Sequence, residues 1–240
     1  LQEGYWGGVG GRKDGVGITP AGRAIAAVMS SRFGVGNSKY HYATQFEEVD
    51  HLPFGAYPVD LIRALGGWDE ALVANEDFEF DYRVLRAGRK LLLDPRIVID
   101  WQCRQSIPDL YRQYVRYGRG KADVVLLHPK SMKARHLAPV ALVLWLALAA
   151  AVGVRRPCRG LLLASPYLIA TAASSARTAG RLSDPACTRF VPAAYVAMHV
   201  GWGIGFWAQL ASRICVKLRR RNAVYPGVGS RPADRHEVGR

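Results

Sequence analysis

The chain has 240 residues, half of them hydrophobic, a formal net charge of +14 and four cysteines. The cysteines, Cys103, Cys158, Cys187 and Cys215, show no C-x-x-C spacing, so neither a zinc site nor a disulfide framework is indicated. The positive charge suggests nucleic acid, but its clusters argue against that partner: Lys130, Lys133 and Arg135, then Arg155, Arg156 and Arg159, then Lys217 and Arg219–Arg221 all flank apolar stretches, as residues meeting anionic lipid headgroups do.

In chain order, the sequence opens on Leu1 with no basic segment leading into an apolar one, so no signal peptide is read and the start resembles an interior cut. Gly4 to Gly17 is dense in glycine and predicts a loop joining two elements, without the context of a phosphate-binding fingerprint. Pro20 suits the first turn of a helix, and Ala21–Met29 is rich in helix formers, with an end expected near Gly34. A short extended piece is expected over Val49–Tyr57, then a helix Leu61–Leu65 with Asp60 as N-cap and Gly66-Gly67 as terminator. Asn75–Ala87 predicts a helix stopped at Gly88. Two strands, Lys90–Leu93 and Ile97–Trp101, are expected on either side of Asp94-Pro95, and a further helix begins at Ile107 or Pro108. Mixed helices and strands imply an α/β layered domain.

Composition changes near residue 136. Leu137–Val154, Leu161–Ala176 and Phe190–Ser212 are nearly free of charge, and the first and last have the length of a membrane span. The positive-inside preference places the basic flank Lys130–Arg135 and the tail from Arg213 on the same, cytoplasmic side, which requires an even number of spans. One of three candidate segments then lies at the interface or re-enters. The organisation read from this is a catalytic part over 1–128, a basic linker over 129–136, a helical membrane region of two or three spans over 137–212, and a basic, disordered tail over 213–240.

Asn75-Glu76-Asp77-Phe78-Glu79-Phe80-Asp81 packs four carboxylates into six positions of a basic protein. Spacing alone is compatible with a solvated acidic helix face, with Phe78, Tyr82 and Leu85 turned to the core. The context is more informative. Gly66-Gly67-Trp68-Asp69-Glu70, then Glu76-Asp77, then Arg83-x-x-Arg86-Ala87-Gly88, then Gln113-Tyr114-Val115-Arg116-Tyr117, resembles the ordered motifs of glycosyltransferase family 2. In the last of these, Tyr117 replaces the usual Trp. With Ala24–Ala27 and Ser30–Ser38 upstream, residues 1–125 are similar to its succinoglycan-biosynthesis type.

The resemblance implies part of a GT-A catalytic domain followed by transmembrane helices. It implies an inverting transfer from a nucleotide-sugar donor to a lipid-linked or polysaccharide acceptor, in exopolysaccharide or cell-envelope synthesis. The setting would be the inner membrane, multi-pass, among membrane lipids, with the catalytic part in the cytoplasm. Asp77 is then the general base and Glu76 its tuning neighbour. Gln113, Arg116 and Tyr117 face the substrate, with Gln113 and Arg116 stabilising the leaving diphosphate or, alternatively, facing headgroups. Phe54, Gly55 and Trp68 line an acceptor channel or serve the core, and Asp69 contacts acceptor or closes a turn. Mg²⁺ or Mn²⁺ is implied for a complete enzyme, but no D-x-D precedes the base region, so its ligands are not found in this chain. That departure leaves a non-catalytic membrane scaffold or degenerate transferase as the other reading.

Overall fold

A computed structural model describes residues 5–224, with side chains to residue 216. The elements are β1 (Trp6–Val16), α1 (Pro20–Met29), α2 (Arg32–Val35), β2 (Glu47–Val49), α3 (Val59–Ala64), α4 (Glu76–Arg86), β3 (Lys90–Gln102), α5 (Ile107–Leu127), α6 (Ala134–Arg155), α7 (Pro157–Ala179), α8 (Pro185–Thr188) and α9 (Val191–Val224). The sheet has the order β1-β3-β2, with β1 parallel and β2 antiparallel to β3.

The glycine-rich start is a strand, not the expected loop. Its glycines allow close packing: a Cβ on Gly10 would lie 2.9 Å from the Leu52 side chain, and one on Gly8 would lie 2.6 Å from the Tyr57 ring. Tertiary approach thus overrides the poor strand propensity of glycine. A single bridge, Val9 to Ala56, pairs β1 with the 51–57 segment. The two expected strands around Asp94-Pro95 are one strand, β3. Its pairing with β1 jumps from Gly11–Asp94 to Arg12–Val98, so Pro95 falls in a bulge where its missing N–H breaks no ladder. The expected extended piece over Val49–Tyr57 meets β2 only at Val49 and is otherwise irregular, and α3 begins after Pro58, leaving Asp60 in its first turn.

Thr19 caps α1 by accepting from the Gly22 N–H, and Ser106 caps α5 by accepting from Asp109 N–H. One apolar core packs Leu52, Phe80, Val84, Leu91 and Leu93 between α4 and the sheet. A second joins Ile25 and Val28 of α1 and Leu110 of α5 to Tyr195 and Met198 of α9. Residues on both sides of position 136 therefore share one core.

Helices α5 and α9 approach backbone to backbone. A Cβ on Gly118 would stand 2.0 Å from the Trp202 carbonyl oxygen, and one on Gly205 would stand 2.1 Å from that of Val115. Farther along, Asp123 accepts from Gln209 and Arg213. Among the described residues one helix, α6, is long and apolar enough to cross a membrane. Only 11% of its apolar stretch is buried, and Leu137, Leu144, Trp145 and Leu148 are exposed, as are Leu161, Leu162 and Ile169 of α7. Residues 213–224 of the expected tail continue α9, and 225–240 lie outside the described residues.

The crossing gives a stability prediction. Gly118→Ala forces a methyl group against backbone that cannot rotate away, so it should destabilise by about 1–3 kcal/mol. Gly180→Ala, whose added Cβ meets nothing closer than 3.6 Å, should change stability by no more than about 0.5 kcal/mol. Thermal unfolding of both variants in detergent compares them.

Candidate active site

The four carboxylates of the acidic helix separate into two pairs. Asp81 has no exposed surface. One of its oxygens accepts from His51 Nδ1 at 2.8 Å and the Leu52 N–H at 2.7 Å, and the other accepts from the Tyr57 hydroxyl at 2.6 Å. Burial, with Asp81 alongside, raises the Tyr57 pKa and keeps that hydroxyl protonated. Glu79 is also buried. It receives both Nε and Nη2 of Arg83 and lies 2.8 Å from His128 Nε2. Arg83 donates in addition to the carbonyls of Leu65 and Gly67, so it holds the Gly66-Gly67 turn against α4.

The other pair, Glu76 and Asp77, opens into a cavity of about 720 Å³. Asn75 aims this first turn: it adopts a left-handed φ of 63° and its side-chain amide donates to the Tyr117 carbonyl at 2.9 Å. Asp77 is partly exposed, and its carboxylate stands 3.8 Å from His51 Nε2. Phe54, Arg116 and Tyr117 share the cavity. Phe54 adopts a left-handed φ of 58°, a strained conformation for a bulky residue, with Lys13 Nζ 5.6 Å from its ring centroid.

The remaining sequence-derived candidates lie outside the cavity wall. Gln113 is buried and donates to the Tyr117 hydroxyl at 2.8 Å, so it meets the cavity through that ring. Trp68 stacks on Phe80 with centroids 4.8 Å apart, and Asp69 accepts from the Ala71 N–H within its own turn. Gly55 lets Tyr57 reach Asp81, because a Cβ there would lie 2.6 Å from the Tyr57 oxygen.

The cavity also holds residues that were not among the candidate site residues read from the sequence. Lys13, Arg32, Lys121 and Arg135 join Arg116 in the lining, so five basic side chains share it with the two carboxylates Glu76 and Asp77. Burial lowers the Lys13 pKa to about 8 against the opposing pull of Asp77. Lys121, on α5, lies 3.6 Å from the Phe78 ring centroid and donates to the Ser131 carbonyl; burial lowers its pKa to about 7. Asp50 would be raised by burial, but Arg135 and Lys133 pair with it and hold it at about 2. The same cavity is lined by Pro139 and Leu142 of α6, Tyr167 of α7 and Met198 and Trp202 of α9. A motif scan misses these because their chemistry arises where distant helices meet.

Among the described residues no three His, Cys, Asp or Glu side chains converge as metal ligands would. Glu79 and Asp81 already have cationic or hydrogen-bonding partners, and of the four only Glu76 and Asp77 face the cavity. No step below is routed through a divalent cation.

Three curated relatives bear on this site. The succinoglycan biosynthesis protein ExoA of Rhizobium meliloti is 28% identical over 207 residues, covering 81% of this chain and 58% of that protein. A pre-mycofactocin glycosyltransferase of Mycobacterium tuberculosis is 29% identical over 172 residues, 70% of this chain and 34% of its own length. A dolichyl N-acetyl-alpha-D-glucosaminyl phosphate 3-beta-D-2,3-diacetamido-2,3-dideoxy-beta-D-glucuronosyltransferase of Methanococcus voltae is 28% identical over 102 residues, 42% and 32% respectively. No family model matches the chain, and no solved structure does. The chain is thus related to glycosyltransferases, as its motifs indicate. The succinoglycan-biosynthesis type is among these relatives, and the chain spans little more than half of that protein's length.

The buried lysine gives a pH prediction. A lysine whose folded pKa is about 7 binds fewer protons folded than unfolded between that value and the ordinary one near 10.5. Stability should therefore rise with pH from about 7 to about 10, and Lys121→Met should flatten that rise. Thermal midpoints across this range, in both proteins, measure it.

Proposed function

We propose that this chain is the acceptor-side part of a membrane-attached, inverting glycosyltransferase that moves a sugar from a nucleotide-sugar donor to a lipid-linked acceptor in exopolysaccharide or envelope synthesis. The observation that carries this reading is the shared lining of one cavity. Asp77, the carboxylate in the position of the family's base, lines it together with residues of α5, α6 and α9, beside the helix suited to a membrane. An acceptor hydroxyl carried on a lipid can reach Asp77 through that cavity without leaving the bilayer surface. A soluble polysaccharide would gain nothing from the apolar side chains of Pro139, Leu142 and Trp202.

In this reading Asp77 removes the proton of the acceptor hydroxyl as its oxygen attacks the anomeric carbon. The bond from that carbon to the diphosphate breaks on the opposite face, and the configuration inverts. Arg116, exposed at the cavity rim, supplies positive charge to the departing diphosphate. Tyr117, fixed by Gln113, and Phe54 shape the acceptor side. Membrane attachment rests on α6 and on the apolar surface that α6 and α7 leave exposed. The catalytic part is assigned to the cytoplasm, where nucleotide sugars are found.

Two measurements test this. In a version extended upstream to the length of its relatives, Asp77→Asn should abolish sugar transfer while the protein stays folded and membrane-bound, since an amide cannot accept the proton. Arg116→Ala should lower turnover at least about tenfold, with Lys recovering only part because it lacks the planar fork. Wild-type turnover in the first variant would remove Asp77 as base; in the second it would return Arg116 to a headgroup role. Separately, the chain should remain with membranes after alkaline carbonate washing, and its release would overturn the spanning role of α6.

A further inference from the structure

We propose that His51 is a positioning residue for the base, acting through Asp77 as the second station of the proton removed from the acceptor hydroxyl. The inference rests on the reading of Asp77 as that base.

The imidazole is held at one end and open at the other. Its Nδ1 is 2.8 Å from Asp81, whose other partners are the Leu52 N–H and the Tyr57 hydroxyl. A carboxylate only accepts, so the shared proton resides on His51 Nδ1. In the neutral tautomer that carries this proton the ring presents a bare Nε2, which lies 3.8 Å from Asp77 Oδ2. Swinging the ring away would strip one partner from a carboxylate with no exposed surface.

Mobility is unequal. The His51 side chain is 12% exposed and Asp77 45%, and the His51 ring is packed edge-on by Tyr40 and against Phe78. The movable partner is Asp77, which needs to close by about 1 Å for a hydrogen bond, as catalytic pairs commonly do once substrate is bound.

The proton balance is complete without a further reactant. The acceptor O–H bond breaks as oxygen bonds to the anomeric carbon, and the bond from that carbon to the diphosphate oxygen breaks with its electron pair departing on the diphosphate. The proton passes to Asp77 Oδ2 and then to His51 Nε2. Asp77 is again a carboxylate, and the imidazolium lies between Asp77 and Asp81 until it loses the proton to solvent after product leaves.

The same geometry sets an acid limit. A ring already protonated would donate Nε2–H to Asp77 and occupy the oxygen that must accept from the acceptor. The groups around His51 are Asp77 and Asp81 of α4, Tyr57 through Asp81, Tyr40 and His41 of the Lys39–His41 turn, Asp50 before it in the chain, and Lys13 of β1. Burial raises the Tyr40 pKa to about 12 and lowers that of His41 to about 3, so neither changes charge near neutrality. Asp50 is paired with Lys133 and Arg135.

The test uses the extended enzyme. His51→Asn keeps an amide donor for Asp81 and removes the basic nitrogen facing Asp77. It should lower kcat by about tenfold or more with acceptor KM unchanged, and move the acid limb of the kcat profile to lower pH. Wild-type kcat with an unmoved acid limb would overturn the inference. Should the variant fail to fold, 15N-histidine NMR of the unmutated protein decides: near neutral pH His51 should carry its proton on Nδ1, and a proton on Nε2 would overturn the proposal. Full turnover by Asp77→Asn would remove both the base and its partner. An inactive Asp77→Asn beside an unaffected His51→Asn removes only the role of His51.

Discussion

A carboxylate with no exposed surface organises the candidate site. Removing Asp81 from water costs several kcal/mol unless donors replace the solvent. The replacements are the Leu52 N–H, the Tyr57 hydroxyl and His51, all from one irregular segment between β2 and α3. That segment is consequently pinned to α4. Gly8, Gly10 and Gly55 are bare because Tyr57 and Leu52 must lie close to reach Asp81, and the 51–57 wall of the cavity follows from this arrangement. Arg83 and Glu79 do the same on the opposite side, fastening the Gly66-Gly67 turn. With two of four acidic side chains committed to structure, Glu76 and Asp77 are left to face the cavity.

A second constraint couples that cavity to the helical part of the chain. Gly118 on α5 and Gly201 and Gly205 on α9 let the two backbones meet, so α9 lies directly along the helix that supplies Tyr114, Arg116, Tyr117 and Lys121. Buried cations beside apolar helix surface are expensive in isolation. Lys121 has a carbonyl and an aromatic face as compensation, and Arg135 has Asp50. A cavity lined by both cationic and apolar side chains suits a ligand with an anionic group and a hydrocarbon portion better than a wholly hydrophilic one.

Local signals made several elements legible. The helices from Pro20, from Glu76 and from Ile107 were readable because prolines suited to a first turn, helix formers and the stop at Gly88 mark them locally. The strand β1 was not, since seven of the glycines in Gly4–Gly17 look like a loop unless the Leu52 and Tyr57 side chains that fill their space are known. The ordered motifs likewise located the acidic helix and α5. They singled out Asp77 by resemblance, but nothing in them showed that Asp81, four residues on, is fully buried.

The sequence by itself determined the resemblance to glycosyltransferases, the acidic helix that carries the proposed base and the apolar helix suited to a membrane, because each depends on residues near one another in the chain. The tertiary structure alone decided which carboxylates face the cavity, that Gln113, Trp68 and Asp69 stand outside its wall, and that His51 lies between Asp77 and Asp81. The physical reason is distance along the chain. His51 is 30 residues from Asp81, and no local pattern encodes a hydrogen bond formed only when a loop folds back onto a helix.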